Sequence, residues 1–258
     1  MKTLKLLVII SAFLALSGCA ASIAYRADYV PDKPIADSER ISGRVLVYTT
    51  RSDDDRLITA GATSFTGAGL KLTTPIGIMT REIAVKVFSK VASDGASASN
   101  DLANADRYLV VVRPEAKDYS HGFPQLKNLG FAITPEVHVT MRMSILDAAG
   151  KPLIDKDYDS GVVSGASYMI SGSPTERINR LTHETLYDVM RRAADDVRVY
   201  QLAAVTGTKT EPAATGNVQP IKASSSYDDL IKLDELHKKG IITDVEFDVQ
   251  KKKILDQH

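Results

Sequence analysis

The sequence predicts an α+β protein: a two-layer sandwich of an antiparallel or mixed sheet with two amphipathic helices, followed by a C-terminal helical hairpin. Three observations carry this. Val137, Val139, Met141, Met143 and Ile145 alternate with Glu136, His138, Thr140, Arg142 and Ser144, the period of a strand wet on one face. Ile76, Met79, Ile83, Val87 and Val91 recur at helical spacing, as do Ile178, Leu181, Leu186, Val189, Ala193, Val197 and Tyr200. Tyr108–Val112 is a short unbroken apolar run, which suits a central strand covered on both sides.

In chain order, residues 19–41 mix Pro31, Pro34 and scattered charges without a sustained period and read as a tether. The core is expected over residues 42–205. It opens with an inner strand at Arg44–Thr50, followed by a polar break at Arg51–Asp55. Counted from Asp53, the twelfth position of a calcium loop is Ser64 rather than Glu, so the acidic triplet reads as a solvated turn. Leu57–Phe65 offers a further short strand. Thr74 reads as an N-cap and Pro75 as the first helical residue, with the helix running to about Ala92. Ser93–Asn104 has loop composition.

Residues 115–134 read as a long loop with Tyr119, Phe123 and Phe131. Two readings stay open for it: a partner-binding surface, or aromatic side chains that cover one end of the sheet. His121 and His138 both read as surface residues. After Glu136–Leu146, the turn Asp147–Gly150 sends Leu153–Val163 back as a hairpin partner. Ser173, Pro174 and Glu176 form a capping box for the last core helix, which runs to about Ala204. His183-Glu184 begins a zinc-protease motif, but Tyr187 stands where its second histidine belongs. Residues 206–226, rich in Thr, Ser, Ala, Gly and Pro, read as a flexible linker.

Ahead of all this, Lys2 and Lys5 precede an apolar run from Leu6 to Leu16, then Ser17, Gly18 and Cys19. The apolar run is too short to span a bilayer, which takes about 20 residues. A charged segment, an apolar segment and small residues before a cysteine read as a secretory signal over residues 1–18. Leu16-Ser17-Gly18-Cys19 resembles the lipobox of bacterial lipoproteins. The resemblance implies cleavage before Cys19, palmitate-type acylation of that residue and, with Ala20 rather than Asp next, delivery to the outer membrane, facing the periplasm. Cys19 is the only cysteine in the chain, so no internal disulfide competes for it.

Residues 227–258 hold Leu230, Leu233 and Leu236 at helical spacing. Gly240 can end that helix, Ile241 follows it, and Thr243 with Glu246 caps a second helix carrying Phe247 and Ile254. This stretch resembles the SHOCT (short C-terminal) domain family. Two helices of this length bury too little to stand alone, so they are expected to bind a partner surface. The element order of the core is similar to that of small envelope lipoproteins, including the lipopolysaccharide-assembly lipoprotein and auxiliary lipoproteins of envelope transporters.

Without residues 1–18 the chain keeps 30 basic and 32 acidic residues, a formal charge of −2, so no basic field draws it to nucleic acid. No combination of nucleophile, base and orienting group can be read from the motifs, and no cofactor or metal site is expected. The expected function is a non-enzymatic envelope assembly or scaffolding accessory. Its partners are the membrane, through the lipid anchor, and envelope proteins or further copies of itself, through the hairpin. The alternative is a lipid or glycolipid carrier, which needs an apolar cavity between helices and sheet.

Overall fold

The structure is a computed structural model and describes residues 20–64, 69–124, 132–169 and 173–206. The chain divides into two units, Met1–Pro212 and Ala213–His258, and the described residues all belong to the first. The architecture is α+β with mixed sheets and two main helices.

The larger sheet has five strands in the order β5-β2-β6-β8-β9. These are β2 (Val45–Tyr48), β5 (Ala96–Ser99), β6 (Val110–Gly122), β8 (Glu136–Asp147) and β9 (Pro152–Ser164). β5 and β6 run parallel to β2, whereas β8 and β9 are antiparallel additions. The smaller sheet, in the order β1-β4-β3, joins β1 (Ala20–Ser22), β3 (Ile58–Gly61) and β4 (Lys71–Thr74). β7 (Ala132–Ile133) and β10 (Tyr168–Met169) form a separate antiparallel pair.

Helices α2 (Ile76–Val91) and α3 (Pro174–Thr206) cover the inner face of the large sheet. All five residues of the α2 stripe are buried, and so are Val137, Val139, Met141, Met143 and Ile145 of β8. Alternation and helical period thus meet in one apolar layer, which also takes in Val45, Val47, Val112, Phe88, Leu186 and Met190.

Several segments differ from their sequence reading, each for a physical reason. Residues 20–41 are not a free tether. Ala20–Ser22 pairs with Lys71–Thr73, and Ile23, Tyr29, Val30 and Ile41 are buried, so this strap lies on the core. Its apolar residues contact the core singly rather than as a stripe, which leaves no periodicity to read. Arg51–Asp54 forms a one-turn helix, α1, because Thr50 and Asp53 make a capping box. Thr74 is the last residue of β4, and Pro75 is the N-cap of α2 without a side-chain capping bond.

Within Ser93–Asn104, small polar residues form β5, an edge strand whose serines suit its half-buried position.

A further difference concerns residues 115–122, which continue β6 instead of entering a loop. Pro114 follows the apolar run at Tyr108–Val112, and a proline cannot donate to a ladder within a sheet. β2 pairs with β6 only as far as Val112, so Pro114 lies where one edge of β6 is free and a missing N–H leaves no ladder bond broken. A bulge between Ala116 and Asp118 then shifts the inward set by one residue, from Pro114 and Ala116 to Tyr119 and His121. Tyr119 and Phe123 are 3% and 2% exposed, so those two aromatics cover the end of the sheet; Phe131 lies outside the described residues.

Candidate binding groove

The register of β6 on β8 gives the core two ends, one at Gly122 opposite Glu136 and the other at Val110 opposite Asp147. At the second end, Ser42 and Gly43 turn the chain into β2. Gly43 has φ +106°, and a Cβ there would lie 3.0 Å from Leu109 Cβ, so glycine suits both the turn and the contact. The Leu109 N–H donates to Arg44 O at 2.8 Å. From α3, Gln201 clamps the same turn: its Oε1 accepts from the Ser42 N–H at 3.3 Å and its Nε2 donates to Ser42 O at 3.5 Å.

Between these segments lies an open groove of about 470 Å³, lined by Leu109, Leu153, Tyr200 and Leu202 with Arg40, Arg198 and Asp147. Leu109 is 38% and Leu202 53% exposed, and Val199 in the same turn of α3 is 51% exposed. Burying such a side chain contributes about 1.5–3 kcal/mol. The groove therefore offers apolar contact area beside two guanidinium groups and one carboxylate. The hydroxyl groups in its lining are those of Ser38, Ser42 and Tyr200. The sequence carried one signal for it: Val199 and Leu202 fall off the core stripe of the last helix.

A second hollow, of about 360 Å³, lies towards the other end and includes Glu176, Arg177, Arg180 and Glu184. Its charges balance, and both guanidinium groups are already engaged. Arg177 stacks over Tyr168 and Arg180 over Tyr29, each 4.2 Å from the ring centre, while Tyr29 Oη donates to Glu176 Oε1 at 3.1 Å. Burial pushes the Glu184 carboxyl above its ordinary pKa.

The three described histidines have structural settings. His183 is fully buried in α3. Its Nε2 accepts from the Arg26 N–H at 2.9 Å, so Nδ1 carries the proton and donates to Asn179 O at 2.8 Å. Tyr25 stacks on its ring and Tyr29 meets it edge-on. His121, read from sequence as a surface residue, is 1% exposed between Tyr119 and Phe123, with neither ring nitrogen hydrogen-bonded. Burial lowers the pKa of both.

His138 is half-buried on the outer face rather than fully exposed. Its Nε2 lies 2.9 Å from Asp159 Oδ1, and Asp118 is 3.7 Å from Nδ1. Among the described residues, none of the three hydrogen-bonds a Ser, Thr or Cys side chain. Among the described residues no group of three or more His, Cys, Asp or Glu could hold a metal ion. Nor is any described helix long and apolar enough to cross a membrane.

Leu16, Ser17, Gly18 and Cys19 lie outside the described residues, as do Leu230, Leu233, Leu236, Gly240, Ile241, Phe247 and Ile254 of the hairpin.

Comparison with known proteins identifies one family: the short C-terminal domain family, SHOCT, matches residues 228–255. No curated protein matches the chain. Among solved structures, the chain is similar to protein XCC0632 from Xanthomonas campestris, of family DUF330. The identity is 11%, the match covers 73% of this chain and 99% of that one, and the TM-score is 0.47. It is also similar to lipoprotein B from Nitrosomonas europaea, at 16% identity over 72% and 94% of the two chains with a TM-score of 0.31. A third is the minor lipoprotein from Acinetobacter baumannii, at 10% identity over 61% and 94% with a TM-score of 0.30. None of these likenesses carries an argument about function.

Proposed function

We propose that the chain is a lipoprotein of the outer membrane, anchored through acylated Cys19, that acts as a non-enzymatic assembly or scaffolding accessory. It binds envelope proteins or further copies of itself through the hairpin at residues 227–258. The anchor rests on the charged and apolar segments before Leu16-Ser17-Gly18-Cys19, and the hairpin on its leucine stripe together with the family match at 228–255.

The observation that favours a scaffold over a carrier is the filled layer between helices and sheet. Met79, Ile83, Val87, Met141, Met143 and Ile145 are 0% exposed there, in the space an acyl chain would need. Among the described residues, the apolar groove lies at one end of the core rather than between helices and sheet.

The test is metabolic labelling with an alkyne fatty acid in a cell that exports the chain, followed by membrane fractionation. The wild type takes the label into the outer-membrane fraction, and Cys19→Ser takes none. Label on the Cys19→Ser chain, or an unlabelled wild type, refutes the anchor. Crosslinking in intact cells then tests the scaffold: the full chain is captured with envelope proteins or with itself, whereas capture of lipid alone favours the carrier.

A further inference from the structure

Ala20, the residue after Cys19, is the first residue of β1 and pairs with Lys71 at the start of β4, which pairs in turn with Gly61 at the end of β3. Two residues beyond Gly61, the Thr63 N–H donates to His121 O at 2.8 Å, and the Phe123 N–H donates to Ser64 Oγ at 2.6 Å. The start of β1 therefore belongs to the Gly122 end of the core, opposite the groove.

We infer that the folded core is held directly against a phospholipid surface, with the end that carries Ala20, Gly61 and Lys71 at the headgroups and the Leu109–Leu202 groove facing away. This rests on the acylation of Cys19 proposed above.

The reasoning is geometric. Consecutive Cα atoms are about 3.8 Å apart and neighbouring strands about 4.8 Å. With the Cys19 chains in the bilayer, Ala20 lies within a residue's length of the interface, Lys71 one strand away and Gly61 two. A free tether would remove this constraint, but the segment that would supply one is built into the fold. Ile23, Tyr29, Val30 and Ile41 are buried. Arg26 is bonded to His183, Lys86 Nζ donates to Ala27 O and Val30 O, and Lys33 pairs with Asp188.

The groove's direction follows from the same fold. α3 has 33 residues, about 50 Å of helix, and begins beside Gly165 and Tyr168 near the lipid end. It reaches Ser42 and the groove only in its last turns.

The test uses the full acylated chain, with acylation checked first by mass spectrometry. Cys19 is the only native cysteine, so once its sulfur is acylated an introduced cysteine is the only thiol. Gly61→Cys and Lys71→Cys mark the lipid end, and Ala149→Cys marks the exposed turn at the other. A side chain at position 61 meets open space. Each variant is labelled with bimane and placed in vesicles of phosphatidylethanolamine and phosphatidylglycerol that contain a headgroup-nitroxide lipid.

Labels at 61 and 71 lose most of their fluorescence and the label at 149 keeps it. A Gly-Ser spacer of about 10 residues after Cys19, which reaches roughly 17 Å, restores fluorescence at 61 and 71. Equal quenching at all three positions on acylated protein overturns the orientation while leaving the anchor standing. Quenching that survives the spacer overturns the short link as its cause. A chain without acyl groups overturns the anchor itself.

Discussion

Gly77 lies in the first turn of α2 with the end of α1 pressed against it, and its N–H donates to Arg56 O at 3.1 Å. A Cβ at this position would sit 1.8 Å from Asp53 O and 2.7 Å from Asp54 O, both backbone atoms. Gly77→Ala is expected to cost about 1–3 kcal/mol through displaced backbone, and to lower Tm by roughly 3–10 °C in calorimetry. Gly61→Ala, with nothing near its Cβ, is the control and should leave Tm unchanged.

The two buried histidines predict a pH dependence. Burial lowers the folded-state pKa of His121 and His183 from the ordinary 6.5, so the unfolded chain binds protons first as the solution is acidified. Their contribution is complete above pH 6.5 and is lost as pH falls through the lower folded-state values. At His183, protonation also removes the acceptor of the Arg26 N–H. Urea melts should show stability falling below about pH 6.5, with a shallower fall in His121→Phe. An unchanged slope in that variant would place the dependence elsewhere.

Among the elements, the strap at residues 20–41 departs furthest from its sequence reading, and it changes where the core should be cut. Ile23, Tyr29, Val30 and Ile41 each contribute about 1.5–3 kcal/mol of apolar burial, a large share of the 5–15 kcal/mol typical of a whole domain. A chain of residues 42–205 is therefore expected to melt well below one of residues 20–205, or to lack a cooperative transition. Equal melting temperatures would return the strap to the status of a tether.

What was legible follows the same physics. β8, α2 and α3 were readable because each repeats one local period over many residues, and β9 because the turn at Asp147–Gly150 sends the chain back beside β8. β5, α1 and the second half of β6 were not. β5 is polar and short, α1 rests on a single capping box, and Pro114 with the bulge at Ala116–Asp118 breaks β6 into two apparent fragments. The groove was the least legible feature, because it joins residues from 42, 109, 153 and 202 that only the fold brings together.

For the whole molecule, the hairpin at 227–258 is expected to act as an interaction module. Deleting it should leave the core's Tm within about 1 °C while reducing self-association or partner capture in sedimentation, and Leu233→Asp should act as the deletion does by placing a charge on the leucine stripe. A lowered Tm with unchanged association would reverse that assignment.

The strap also has a consequence in time. Its closure needs partners made much later: β1 waits for β4, and the bond from Arg26 reaches His183 across 157 residues. Contacts of such separation form late, after the intervening chain has collapsed. On the export proposed above, residues 20–41 thus stay undocked while the rest of the polypeptide is emerging. On the anchor proposed above, processing before Cys19 meets a strap that is not yet docked, and docking is complete only once β4 and α3 have formed.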